Sequence, residues 1–535
     1  MSDLLFCAFY VLLFSAIIMR SKWFSAGGLG NRYFLGVFYL KLLFGVVLWY
    51  IYAHIYKNRI SSDVFKYYDD SKIIFATLHS SVKDYLTLIT GIGDSGSYYQ
   101  DIYHSMNSWG NGYGTTLYSN SHFIIRINAL FMLLSHGHYG VHVVFMCFIS
   151  LAGLTLIYKA FVPFLQDKSK MLFVAIFLFP SVLLWSSGIL KEGFVWLGLG
   201  LCIYYFFQLI YSPPNKTAYL ISYSLYLLIG TILLYESKAY VLLCILPCFV
   251  AQFFIKKTKF CEAHPLLTYV SVLVFYAAGS TLPHSLFHNG GPFIMISDKQ
   301  TDFNRISRGG IYLTKIKDPS QYVLIPVSDS SNVVPLNPNA DSLLHKKGIQ
   351  YLVSNAFCYH ETKTGNKVPY MLKKGTAYTG FTFNKNDTVH LTANDSTAYC
   401  VIVFIEPAKS RIFIIPIRPN LTSLLTNIPE ALKISMLLPY PWDVHSAMTA
   451  IYCAENMLVL LLLFFALLFI KKPVHIDLIL FCLTYCLMML ILIGLVTPIL
   501  GGIERYKSVV IPFMFILLLL VTDQDKIVRT FKLKK

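Results

Sequence analysis

Residues 33–70 read YFLGVFYLKLLFGVVLWYIYAHIYKNRISSDVFKYYDD. From Tyr33 to Tyr56 the run is apolar or aromatic, apart from Lys41 and His54. Beyond Lys57 it turns abruptly polar. An apolar run of about 20 residues is long enough to cross the hydrocarbon core of a bilayer as a helix, so the switch at Lys57 marks where the chain leaves it. The same contrast recurs along all 535 residues, which are 56% hydrophobic and 13% charged, with mean hydropathy +0.58. Soluble domains carry about 25% charged residues. The expected fold class is an all-α polytopic membrane bundle with a small β-rich domain on its outer face.

Working outward, eleven candidate spans fall at roughly 3–19, 33–56, 139–160, 171–187, 189–211, 217–235, 239–256, 266–283, 447–470, 476–498 and 508–523. The first lacks a basic leading segment and a small-residue cleavage site, so it reads as a retained helix. With the N-terminus outside, every inner segment is basic: Arg20, Lys22 and Arg32; Lys159, Lys168 and Lys170; Lys216; Lys256, Lys257 and Lys259; Lys471 and Lys472; and Lys526, Arg529, Lys532, Lys534 and Lys535. Lys and Arg collect in cytoplasmic loops, which predicts N-out and C-in. The net charge of +17 is thereby accounted for. No basic stripe or nucleic-acid motif is present, so no nucleic-acid partner is expected.

The expected division is two N-terminal helices (1–56), an acidic and aromatic outer loop with an interfacial helix (57–138), a six-helix core (139–283), a β-rich outer domain (284–446), three C-terminal helices (447–523) and a basic cytoplasmic tail (524–535). The β-rich reading rests on runs such as YCVIVFIEP (399–407) and RIFIIPI (411–417). Cys358 and Cys400 lie on the outer side, where an oxidising compartment permits a disulfide. Lys41 is expected to snorkel toward the cytoplasm.

The first outer loop holds Asp63, Asp69, Asp70, Asp84, Asp94 and Asp101 among Tyr67, Tyr68, Tyr98, Tyr99 and Tyr103. Rings stack on sugar faces, and a carboxylate binds a hydroxyl or takes its proton. Asp69 and Asp70 are adjacent, so at most one is expected to face a given site. Three outer turns add ionisable residues at membrane depth: Lys191 and Glu192; Glu236 and Lys238; Glu504, Arg505, Tyr506 and Lys507. Such residues are costly there and point to function, against the alternative of helix-end charges reaching for the interface. Histidines at 122, 136 and 138 match no recognised metal spacing and read as interfacial.

The order YYDDSKIIF (67–75), FPSVLLWSSGILKEG (179–193), PYPWDVHSA (439–447) with AEN (454–456), and GGIERYKSVVIPF (501–513) resembles a large group of polytopic proteins from bacterial, especially Bacteroidetes, surface-polysaccharide clusters. The layout is similar to GT-C class glycosyltransferases. That resemblance implies a bacterial inner-membrane protein with its active face toward the periplasm, a polyprenyl-phosphate-linked sugar donor and a lipid-linked or surface-glycan acceptor. It implies Asp63, Asp69 or Asp70 as the catalytic carboxylate, and Lys191, Lys238, Arg505 and Lys507 near the lipid phosphate. Asp94, Tyr98, Tyr99, Glu192, Glu236 and Tyr506 are the expected substrate-binding residues. Hard carboxylate oxygens suit Mg²⁺ or Mn²⁺, though nothing in the spacing requires a metal. The alternatives are an O-antigen-type polymerase or ligase, resting on Arg505, Arg418 or Arg411 with His445, and a lipid-linked glycan transporter. A transporter is expected to break its helices near the midplane.

Overall fold

The computed structural model describes residues 2–56, 59, 62–106, 108–109, 121–280, 292–308, 408 and 410–530 except 472–473, together with the backbone of short strands between 310 and 405. The described residues are mostly helical. Among them, seven helices are long and apolar enough to cross a membrane: Asp3–Arg20, Asn31–Ile55, Tyr139–Phe164, Glu192–Tyr211, Thr217–Lys257, Ala447–Leu468 and Ile476–Val496.

Seven rather than eleven has local causes. The expected span at 171–187 is broken. Ser169–Phe177 ends, Pro180 opens the short helix Pro180–Trp185, and residues 186–191 form a non-helical turn. Proline has no N–H to continue a helix but suits its first turn. The last expected span, 508–523, is the shorter helix Ile511–Val521, with Pro512 in its first turn, and the turn expected before it holds the helix Leu500–Lys507. The span expected at 266–283 is the shorter helix Pro265–Gly279.

Thr217–Lys257 is one helix in name only. Lys238 has φ −151° and ψ 82°, outside the helical region. The first arm lies along Glu192–Tyr211: Gly230 and Leu234 meet Gly198, and Tyr226 stacks on Tyr205. The second arm returns along the same helix, with Phe249 on Phe206 and Gln252 bonded to Tyr211. The chain therefore reverses at Lys238, and the two arms occupy the two stretches expected at 217–235 and 239–256.

The core packs through small residues. A Cβ on Gly200 would lie 2.3 Å from the carbonyl oxygen of Gly153, so Tyr139–Phe161 and Glu192–Tyr211 meet backbone to backbone. Such close approach is how helices associate where lipid is as apolar as the side chains. Lys41 does not snorkel. It is fully buried and donates to Ser186 Oγ in the 186–191 turn, because that interrupted helix offers a polar partner inside the bundle.

The first outer loop is helical: Asp63–Thr77, Val82–Thr90 and Ser97–Ser105. The expected interfacial helix is Ser121–Ser135, with Ile124, Ile125, Ala129 and Met132 buried. Much of the expected β-rich domain lies outside the described residues. Only the backbone of short strands is described there, such as Gly310–Leu313 antiparallel to Cys400–Ile405. The Cys358 and Cys400 side chains lie outside the described residues. The flanks of this region are helical, at Pro292–Arg308 and Leu421–Leu437. The 411–417 run, expected as a strand, forms only an isolated antiparallel bridge, Arg411 with Ile499. The Gln300 amide bonds the backbone of Ile415 and Ile417 as well as Leu495, which fastens both flanks to the bundle.

Candidate functional site

Three interruptions of helices meet at one end of the bundle: the 186–191 turn, the reversal at Lys238, and the break before Leu500. Irregular backbone inside an apolar bundle is tolerated where it is buried in protein or lines a cavity. Here it frames a cavity of about 350 Å³ whose wall includes Asp63, Tyr67, Lys191, Lys238, Arg505 and Tyr506.

Arg505 is the centre of the wall. Its Nη1 donates to Asp63 Oδ2 at 2.8 Å, and its Nη2 to Glu192 Oε2 at 3.0 Å. Its Nε donates to Glu192 Oε1, which completes a forked pair. Lys238 Nζ donates to the same Glu192 oxygen at 2.7 Å and lies 4.4 Å from the centre of the Tyr506 ring. Lys66, one turn beyond Asp63, stands 3.2 Å from Asp63 Oδ1. Burial opposes ionisation of Asp63, but Lys66, Arg505 and Lys191 together outweigh it and hold the carboxyl well below the usual carboxylate range.

Lys191 differs from its neighbours. It is 7% exposed and sits in the turn that precedes the Glu192–Tyr211 helix. Its ammonium lies 5.7 Å from the centre of the Tyr67 ring, and no carboxylate stands within ion-pair distance of it among the described residues. Burial pushes it down to about 7, with Lys238 and Arg505 adding to the shift against the pull of Asp63.

The expected site residues divide. Asp63, Lys191, Lys238, Arg505 and Tyr506 line the cavity, and Glu192 stands behind Arg505 and Lys238. Asp69 lies on the surface, paired with Arg59 at 2.6 Å. Asp70 is fully buried and accepts from the Ser108 backbone N–H at 2.7 Å. Neither borders the cavity. Asp70 shares nearly the same helix face as Asp63 but lies two turns, about 10 Å, further along, and Asp69 points about 120° away from Asp63, so the three serve different surroundings. Asp94 accepts from Tyr103 at 2.7 Å, and Tyr99 donates to Asp84 at 2.8 Å. Tyr98 is exposed, and Glu236 is half-buried outside the cavity wall. Lys507 is buried in a separate cluster, donating to Asn456 Oδ1 at 2.6 Å with Glu504 at 3.5 Å. Glu455 accepts there from Ser181.

Sequence reasoning missed Lys66, Lys299, Asp302 and Phe303, all on the cavity wall. Lys299 lies 4.5 Å from the centre of the Phe303 ring. The available signal was Pro292 opening PFIMISDKQTDFNRISR, a helix start rather than a loop.

A divalent cation does not fit this wall. Its two carboxylates, Asp63 and Asp302, stand among five cationic side chains. Among the described residues, no group of three or more His, Cys, Asp or Glu side chains converges as a metal site. What the wall can do is hold an anion among tyrosine rings, beside one ionised carboxylate. The chain matches no protein-family model, no curated protein and no solved structure.

Proposed function

We propose that the protein is a membrane-embedded glycosyltransferase. It moves a sugar from a polyprenyl-phosphate-linked donor to a lipid-linked or surface-glycan acceptor on the outer face of a bacterial inner membrane. One observation carries the reading: a buried, cation-rich cavity with tyrosines and a single inward carboxylate of the first loop, at one end of an apolar bundle. The resemblance of the four sequence stretches to surface-polysaccharide proteins and to the GT-C layout supports it.

The geometry suggests the division of labour. Arg505, Lys238 and Lys191 neutralise the phosphate and the charge that develops on it as the sugar departs. Tyr67, Tyr240 and Tyr506 flank the sugar. Asp63 takes the proton of the acceptor hydroxyl. Paired as they are here, Lys66 and Arg505 suppress its basicity. A phosphate that draws Arg505 toward itself relieves that suppression, so Asp63 becomes a base as the donor arrives. Glu192 holds Arg505 and Lys238 in place.

The test is transfer of labelled sugar from a prenyl-phosphoryl donor by purified protein, with Asp63→Asn beside Asp69→Asn and Asp70→Asn. Transfer falls by about 100-fold or more in Asp63→Asn and stays near wild type in Asp69→Asn. Asp70→Asn lowers protein yield more than activity per folded molecule. Full transfer by Asp63→Asn would reject Asp63 as the base.

A further inference from the structure

The balance of charge around the cavity narrows the ligand, on the premise that this cavity is the donor site. Five cations line it: Lys66, Lys191, Lys238, Lys299 and Arg505. Three carboxylates face them: Asp63, shared by Arg505 and Lys66; Glu192, shared by Arg505 and Lys238; and Asp302, whose charge acts on Lys299. Among the described residues, with every group ionised, the cations exceed the carboxylates by two in a mostly buried space. Uncompensated charge away from water is costly. The N-terminus of the Glu192–Tyr211 helix, beside Lys191, adds positive potential.

We propose that the cavity is built for a dianionic head group, a diphosphate diester bearing the sugar, rather than a phosphate diester. A phosphate diester carries one negative charge and leaves one cation unmatched. A diphosphate diester carries two and closes the balance. Lys191 is the residue that takes the second charge: Lys66, Lys238 and Arg505 each pair with a carboxylate, and Lys191, which pairs with none among the described residues, sits at the N-terminus of the Glu192–Tyr211 helix. Its lowered proton affinity, caused by burial, fits this role, because an anion beside the ammonium restores it. In the transfer step, the bond from the anomeric carbon to the diphosphate oxygen breaks and its electron pair leaves with the prenyl diphosphate. The acceptor oxygen forms the new bond to that carbon, and its proton goes to Asp63.

The experiment measures binding of farnesyl-phosphoryl-glucose and farnesyl-diphosphoryl-glucose to the full chain in lipid nanodiscs. Wild type binds the diphosphate at least tenfold more tightly. Inorganic diphosphate displaces it more effectively than inorganic phosphate, and requires a higher concentration than the lipid does. Lys191→Gln removes most of the preference, while Lys191→Arg retains it, which separates lost charge from lost folding. Equal binding of the two lipids by wild type overturns the proposal, as does a preference that survives Lys191→Gln. Tighter binding of the phosphate diester, together with transfer from it that depends on Asp63, overturns this inference and leaves the glycosyltransferase reading standing. A diphosphate preference without transfer from either lipid supports this inference and overturns that reading.

Discussion

Two polar clusters sit at opposite ends of the same helices. At one end, Asp477 accepts from Tyr211 at 2.8 Å, Gln252 at 3.1 Å and Lys256 at 2.8 Å, and Tyr269 donates to Gln252 at 3.1 Å. One carboxylate meets one cation, and the neutral groups fill the remaining lone pairs. At the other end, Arg505, Lys238, Lys191 and Lys66 outnumber Asp63 and Glu192 and open onto a cavity. The first cluster is satisfied by its own members, as buried polar groups in a structural joint are. The second is not, and the difference separates a fastening from a site.

The strongest way to break this comparison is Arg505→Met. It leaves Asp63 with Lys66 and Glu192 with Lys238, both short of their main counter-charge. Removing one partner of a buried ion pair costs about 3–5 kcal/mol. The expected outcome is a large fall in the thermal unfolding midpoint, with about half recovered by adding Glu192→Gln. A neutral Arg505→Met would mean that the cluster is not held by charge.

The intermediate test is Asp477→Asn at the closed end. The amide still accepts from Tyr211 but loses the pairing with half-exposed Lys256. A loss of about 1–2 kcal/mol is expected, with sugar transfer per folded molecule within about twofold of wild type. Loss of transfer comparable to that of Asp63→Asn would place the closed end in the site and erase the distinction.

The smallest effect sharpens the comparison through pH. Burial, reinforced by Lys238 and Arg505, holds Lys191 at about 7 in the folded chain, against an ordinary 10.5. Between those values the unfolded chain binds the extra proton, so the stability of the empty protein rises with pH across that window. Lys191→Met is expected to flatten the rise, measured as unfolding midpoints above and below neutrality. Anion binding has the opposite sense. It is tightest where Lys191 is charged and weakens as pH climbs past about 7.

The sequence made the membrane class and the three polar turns legible, because both are local: long apolar runs, and ions set among them. Lys191, Lys238, Arg505 and Asp63 were each visible for that reason. Their convergence was not, since Arg505 and Asp63 are 442 residues apart and no short-range pattern records such a pairing. Asp69 and Asp70 drew attention by density of charge, yet one is spent on Arg59 and the other on a backbone N–H. Lys299 and Asp302 stayed hidden because their helix adjoins a region whose alternating runs read as strands. Proline accounts for only part of the difference in span count. Pro180 begins a short helix inside an otherwise continuous apolar run, and Pro512 lies in the first turn of the short helix Ile511–Val521.

The single-residue reversal at Lys238 also gives the cluster a history. The ribosome makes Asp63 first, then Glu192, and then the hairpin that carries Lys238 at its tip. The tip passes beside Glu192 as soon as both arms are in the bilayer, so this pair can close early and shield two charges during insertion. Asp63 lacks its arginine until the chain has reached Arg505. The arginine that completes the network is the last of its members to be synthesised, so its docking reports that the late helices have found their places. The network is therefore complete only when the C-terminal helices have docked.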